Sequence, residues 1–319
     1  MNKNQILIIL CSVLLLLAVI SVFLGPVMMS PGDLMESPIF LQIRLPRVLL
    51  SVLVGVLLAI SGVMLQAILR NPLADPYILG VSAGAGVGAS IALGTGMTLT
   101  LFGLSSTPIL AFMGALLAVF VVYNLSKVAG RTSTETLILA GVAVSSFAAA
   151  ILALIIITTG KLQSIYFWLL GSLSSASWSD VITVTPYMIF GLVIAYFYSK
   201  ELNALLLGED MAQTLGVDVE KLRILIITTA TLVTAAAVSV SGLVGFVGLI
   251  IPHFVRMILG ANHRYLVPFS ALAGAILLVV ADTIARTALS PIEIPIGIIM
   301  SLVGAPFFLF ILRRNIKRQ

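Results

Sequence analysis

Residues 205–223 read LLLGEDMAQTLGVDVEKLR, a polar stretch in a chain that is otherwise almost wholly apolar. Glu209, Asp210 and Asp218 are crowded into it together with Lys221 and Arg223, and its meaning depends on what surrounds it. Of the 319 residues, 60% are hydrophobic and 9% charged. The mean hydropathy is +1.21. A soluble domain is ~45–50% apolar and ~25% charged, so these values define an all-α polytopic membrane protein.

Apolar runs separated by Pro, Gly or charge predict about ten transmembrane helices, since each crossing takes roughly 20 residues. They fall near 5–25, 46–69, 77–98, 106–126, 134–159, 180–198, 222–241, 243–260, 266–289 and 294–312, with a break at Gly242. The first run, ILIILCSVLLLLAVISVFL, is longer than a signal-peptide core and is followed by GPVMMSPGD, which lacks a small-x-small cleavage pattern, so it reads as a span. Between the fifth and sixth spans, KLQSIYFWLLGSLSSASW is too short and too polar at its ends to cross. Its Tyr166, Phe167, Trp168 and Trp178 suit a helix at headgroup depth. Cys11 is the sole cysteine, which excludes an internal disulfide and a thiolate metal cluster.

Basic residues set the expected orientation. With both termini inside, the cytoplasmic side collects Lys3, Arg70, Lys127, Arg131, Lys200, Lys221, Arg223, Arg256, Arg264, Arg313, Arg314, Lys317 and Arg318, or 13 of the 17. Arg44, Arg47, Lys161 and Arg286 remain outside. The net charge of +5 is thus accounted for by loops facing anionic lipid, without nucleic acid.

The polar stretch thereby becomes a cytoplasmic loop between the sixth and seventh spans. Leu207, Met211 and Leu215 recur at i, i+4 and i+8, one stripe of a short helix. Glu209 and Asp210 occupy its first turn, where the helix dipole favours anions, and Gly216 supplies a left-handed stop. Asp218 then caps a second helix that runs into the next span. An acidic first turn is poorly suited to anionic headgroups and well suited to a protein cleft.

Four stretches carry a resemblance: RLPRVLLSVLVGVLLAISGVMLQAILRNPLADPYILGVSAGAG (44–86), LLLGEDMAQTLGV (205–217), SGLVGFVGLIIPHFVR (241–256) and ADTIARTALSPIEIPIGIIMSLVGAPFFLFIL (281–312). In that order they resemble the permease subunits of ATP-binding-cassette importers for iron-siderophores, haem and cobalamin. The resemblance implies one transmembrane permease domain over 1–319 with the type II importer fold, working as a homodimer in a bacterial or archaeal cell membrane. It implies two separate ATPase subunits, carrying ATP and Mg, on the inner side and a substrate-binding protein on the outer side. Gly208, Glu209, Asp210, Met211, Ala212, Leu215 and Gly216 would then form the ATPase-coupling helix within the 205–223 loop. Arg44, Arg47 and Arg286 would pair with carboxylates of the binding protein, for which the planar guanidinium fork is suited. Ser82 and Ala83 would line the pathway.

The remaining motifs point away from chemistry in this chain. No G-x-x-x-x-G-K-[ST] phosphate loop occurs, so no bound cofactor and no catalytic residue are expected. Gly80, Gly84 and Gly88 recur every four residues, a helix-packing pattern rather than a dinucleotide fingerprint. His253 and His263 lack a nearby carboxylate and make a poor metal pair. GVSAG has no histidine placed to activate its serine. Asp282 stands four residues before Arg286 and orients it; an ion relay there is the premise of the alternative reading, an ion-coupled secondary transporter. Segments 60–80 and 240–260 align without gaps, a trace of duplication or of shared apolar composition on which no function rests.

Overall fold

The computed structural model describes residues 3–25, 32, 37–101, 103–128 and 131–316; most of the segment after the first helix, and Lys317 and Arg318, lie outside them. In chain order the helices are α1 (Lys3–Phe23), α2 (Leu45–Ile68, entered through a π-helical turn at Phe40–Arg44), α3 (Val81–Thr95), α4 (Ser106–Ser126) and α5 (Thr134–Thr159). They continue as α6 (Leu162–Leu169), α7 (Trp178–Phe197), α8 (Ser199–Leu205), α9 (Glu209–Thr214), α10 (Val219–Ser241), α11 (Val247–Leu259), α12 (His263–Thr287) and α13 (Ile296–Ile316). Two antiparallel hairpins, β1 (Thr100–Leu101) with β2 (Leu104–Ser105) and β3 (Lys127–Val128) with β4 (Arg131–Thr132), close the turns on either side of α4.

Against the expectation of about ten spans, seven helices among the described residues are long and apolar enough to cross: Lys3–Phe23, Phe40–Ile68, Ser106–Ser126, Thr134–Thr159, Trp178–Phe197, Val219–Ser241 and His263–Thr287. Val81–Thr95 and Val247–Leu259 are apolar but shorter, and α13 is apolar over Ile296–Leu309. At 1.5 Å per residue a helix of about 15 residues covers only ~22 Å of the ~30 Å core. The cause is visible for α3 and α11. The apolar stretches before them, read as helix in the sequence, are bent linkers: Pro76–Leu79 is a 3-10 turn, and Gly242–Phe246 is extended or left-handed at Gly242 (φ 66°) and Phe246 (φ 69°). The two linkers meet inside the bundle, where the Tyr77 hydroxyl donates to the Val244 carbonyl (3.0 Å) and accepts the Val244 N–H (3.1 Å). Irregular backbone away from water survives only with such partners.

The centre of the bundle is α2, in which only Leu45, Leu49 and Val52 escape burial. Small residues let its neighbours approach to backbone contact. A Cβ on Gly55 would collide with the Gly274 carbonyl of α12, and one on Gly62 with the Gly248 carbonyl of α11. Gly84 and Gly88 do the same for α3 against Gly114 and Leu110 of α4, the packing role expected of that repeat. Polar side chains finish the contacts. Ser61 Oγ lies 2.6 Å from Thr234 Oγ1 on α10. Gln66 Nε2 donates to the Gly248 carbonyl at 3.2 Å, which replaces the helical bond that Pro252 cannot supply.

The short α6 buries Ile165 and leaves Tyr166 and Phe167 exposed. By contrast α5 buries only Leu137, Gly141 and Ala148, which leaves most of its surface open.

Two expectations test this packing. Gly62→Val places a branched side chain against the Gly248 carbonyl; overpacking costs ~1–3 kcal/mol, so thermal unfolding in detergent should shift down by several degrees, whereas Gly96→Ala, which meets no atom within 4 Å, should cost little beyond its backbone strain. Burial pushes the Asp75 carboxyl up to about 6, only partly offset by the hydrogen bond it accepts from the Tyr77 N–H. A carboxyl raised on folding binds its proton more tightly in the folded state, so stability should fall as pH rises from the ordinary 3.8 through about 6. Asp75→Asn keeps an acceptor for Tyr77 and should flatten that dependence in melting curves; an unchanged slope would show that another group sets it.

Candidate functional site

The 205–223 loop folds as a compact knob at one end of the bundle. Gly208 (φ 108°) turns the chain out of α8, and Gly216 (φ 85°) stops α9. The Asp218 carboxylate then accepts the Lys221 N–H at 3.1 Å and starts α10. The Lys221 ammonium, 2.8 Å away, holds that carboxyl below the usual range. Within the knob Ala212 is buried as its anchor. Leu207, Met211 and Leu215 are 67%, 51% and 60% exposed, so the stripe read from the sequence faces away from the chain. Asp210 is exposed beside it.

Glu209 behaves differently from its neighbours. Its Oε1 accepts from Arg223 Nη2 at 2.7 Å. The Arg223 guanidinium is buried and also donates through Nη1 to Glu220 (3.0 Å) and to the Thr132 carbonyl (2.7 Å) of β4. Thr132 Oγ1 in turn donates to Glu220 (2.9 Å). A cavity of about 540 Å³ opens beside this cluster, lined among others by Ser133, Gln213 and Asp218. Glu220 and Thr132 carried no sign of a role in the sequence; their spacing to Arg223 was the only available cue, and only for Glu220 at i, i+3.

At the opposite end of the bundle, the arginines expected to meet a binding protein are corrected. Arg44, Arg47 and Arg286 are 4%, 7% and 1% exposed. Arg47, on the first turn of α2, places Nε 3.0 Å from Asp282 and Nη1 2.9 Å from Glu293. Arg286 Nε lies 3.4 Å from Asp282 Oδ2, and its Nη2 donates to the Ser21 carbonyl at 2.6 Å. Arg44 donates to the carbonyls of Val22 and Phe23 at 3.1 and 2.8 Å. These forks are committed within the chain, joining the end of α1 to α2, α12 and the loop before α13. Sequence spacing disclosed the Asp282–Arg286 pair but not that Arg47 is the closer partner of Asp282.

Ser82 and Ala83 sit half-buried on the first turn of α3. Neither lines the apolar groove of about 400 Å³ that runs among Gly84, Gly114, Phe147 and Ile151.

A helical bundle with seven helices long and apolar enough to cross a membrane among the described residues, and an exposed apolar stripe on the knob at one end, is the architecture of a multi-pass membrane protein. The chain belongs to the FecCD transport family, whose model matches residues 13–314. It is 47% identical over 273 residues to the cobalamin import system permease protein BtuC of Halobacterium salinarum, covering 85% of this chain and 72% of that one. It is 38% identical over 284 residues to the hemin transport system permease protein HmuU of Yersinia pestis, covering 88% and 84%. A solved inward-facing structure, of an ABC transporter assigned to the metal-chelate type, superposes with a TM-score of 0.87 at 35% identity over 98% of this chain and 99% of that one. The protein is therefore a multi-pass permease subunit of an ABC transporter, with the type II importer fold.

The arginine cluster makes a sharp prediction. Removing one partner of a buried ion pair costs ~3–5 kcal/mol, so Arg47→Leu, which leaves Asp282 only Arg286 at 3.4 Å and takes the fork away from Glu293, should lower the melting temperature strongly at low and high salt alike. Melting equal to the wild type would show that the fork contributes nothing to the fold.

Proposed function

We propose that this chain forms the translocation path of an ATP-driven importer for a metal chelate: an iron-siderophore, haem or a corrinoid. Two copies of the chain surround the path, and the 208–217 helix of each sits in the cleft of a separate ATPase that binds ATP and Mg. The exposed stripe of Leu207, Met211 and Leu215 carries this reading. Large apolar side chains grouped on an otherwise polar knob mark a protein contact. The knob faces the cytoplasm, with both chain termini, because that orientation puts the larger share of Lys and Arg inside. A substrate-binding protein delivers cargo at the opposite end through groups other than Arg44, Arg47 and Arg286, since those are held inside the chain. Relatives named for cobalamin and for hemin support a large chelated metal as cargo.

Mechanistically, ATP-driven closure of the two ATPases displaces the knobs, and the helical subunits rock to open the path to one side and then the other. Hydrolysis occurs on the partner, so this chain supplies no catalytic group.

Met211→Asp tests the assignment, because it places a charge where an apolar side chain meets the cleft. Co-purification of the ATPase and ATP-dependent uptake of radiolabelled cobalamin, ferric citrate or haem into proteoliposomes should both fall at least about tenfold, the equivalent of ~1.4 kcal/mol. Uptake that persists in the variant and follows an ion gradient instead would make the protein a secondary transporter.

A further inference from the structure

Among the described residues, the only ion pair that joins α9 to another element is Glu209–Arg223. Arg223 is 5% exposed, and the same guanidinium holds the β3–β4 hairpin through the Thr132 carbonyl. That hairpin leads directly into α5. Ser133 caps α5 in a reciprocal pair with Thr136, and Thr136 Oγ1 donates to the Ser126 carbonyl at 2.9 Å, so the end of α4 and the start of α5 are fastened together. Beyond its first turns, α5 buries little. Its entrance is therefore tied by hydrogen bonds while its body buries few side chains within the chain.

The knob has the complementary property. α9 buries Ala212 and is bounded by Gly208 and Gly216, both at positive φ with no atom within 4 Å of where a Cβ would stand, so a shift of α9 meets no packed side chain at either end. What then follows that shift depends on what α9 grips. We propose that Arg223 is a positioning residue that carries displacement of α9 to the β3–β4 hairpin and so to α5, coupling the partner's ATP cycle to a span that buries few of its side chains within the chain. The proposal rests on the coupling-helix reading above. Arginine suits the task because one planar, permanently charged fork reaches Glu209, Glu220 and a backbone carbonyl at once, which a lysine ammonium on a flexible stem does not reproduce.

The test uses the assembled permease with its ATPase in lipid discs. Cys11→Ser removes the native thiol, and Leu139→Cys on the exposed face of α5 carries a spin label. Label-to-label distance across the two copies is measured with and without ATP, alongside ATP turnover. Glu209→Gln keeps the size of the side chain and removes its charge, leaving the contacts of Arg223 with Glu220 and Thr132 in place. Glu209 lies on the helix that meets the ATPase, so binding and turnover are read in the same sample, and the ATP-dependent change at Leu139 per ATP turned over should fall about tenfold, the scale of one lost charge-assisted hydrogen bond. Arg223→Lys should retain more of the change than Arg223→Ala, and where the latter fails to fold Glu209→Gln decides alone. A full-sized response in Glu209→Gln overturns the relay while leaving the importer intact. A wild-type complex that does not respond to ATP overturns the importer reading, and the relay with it.

Discussion

Helices in lipid gain little from the hydrophobic effect when they associate, so close backbone packing has to hold them together. In this bundle that constraint falls on α2. Gly55 and Gly62, seven residues apart on α2, bring the carbonyls of Gly274 and Gly248 to within contact of its backbone. Because α2 is pressed against both α12 and α11, its side chains can complete hydrogen bonds that those helices lack. Gln66 does so at the carbonyl orphaned by Pro252. The shortness of α11 is tolerated because the linker before it is satisfied by Tyr77, which the chain leaving α2 carries to that point.

Charge is scarce, and two clusters of it have opposite consequences. Around Asp282, two arginines and a second carboxylate lock three long helices and a loop into one arrangement. Around Arg223, the carboxylates come from the knob and from the first turn of α10, and the third partner is a hairpin carbonyl. The first cluster joins elements already packed together. The second joins elements that share few other interactions, so its bonds are the route by which one can move the other.

This difference also separates the two faces of the knob. Leu207, Met211 and Leu215 point away from the chain and are free to meet a partner, while Glu209 on the same short helix points back to Arg223. A six-residue helix can thus grip a partner and its own subunit at once, provided its flanking glycines let it turn.

Much of this was legible in the sequence because it is local. The apolar runs located the long helices, and Gly208, Gly216 and Asp218 specified the knob, since caps and left-handed turns depend on residues within a few positions of one another. Three features were decided only by the tertiary structure. Pro76–Leu79 and Gly242–Phe246 are as apolar as helix, and only their meeting at Tyr77 and Val244, 167 residues apart, distinguishes them as bent linkers. Arg47 looked like an exposed guanidinium at a helix entrance until the fold brought Asp282 to it across 235 residues. Arg223 looked like one more basic residue at a span's end until Thr132, 91 residues away, was set against it. Hydropathy and capping are properties of neighbours along the chain; the partner of a buried charge is chosen by whichever distant segment the packing of the helices delivers, and sequence spacing carries no record of that.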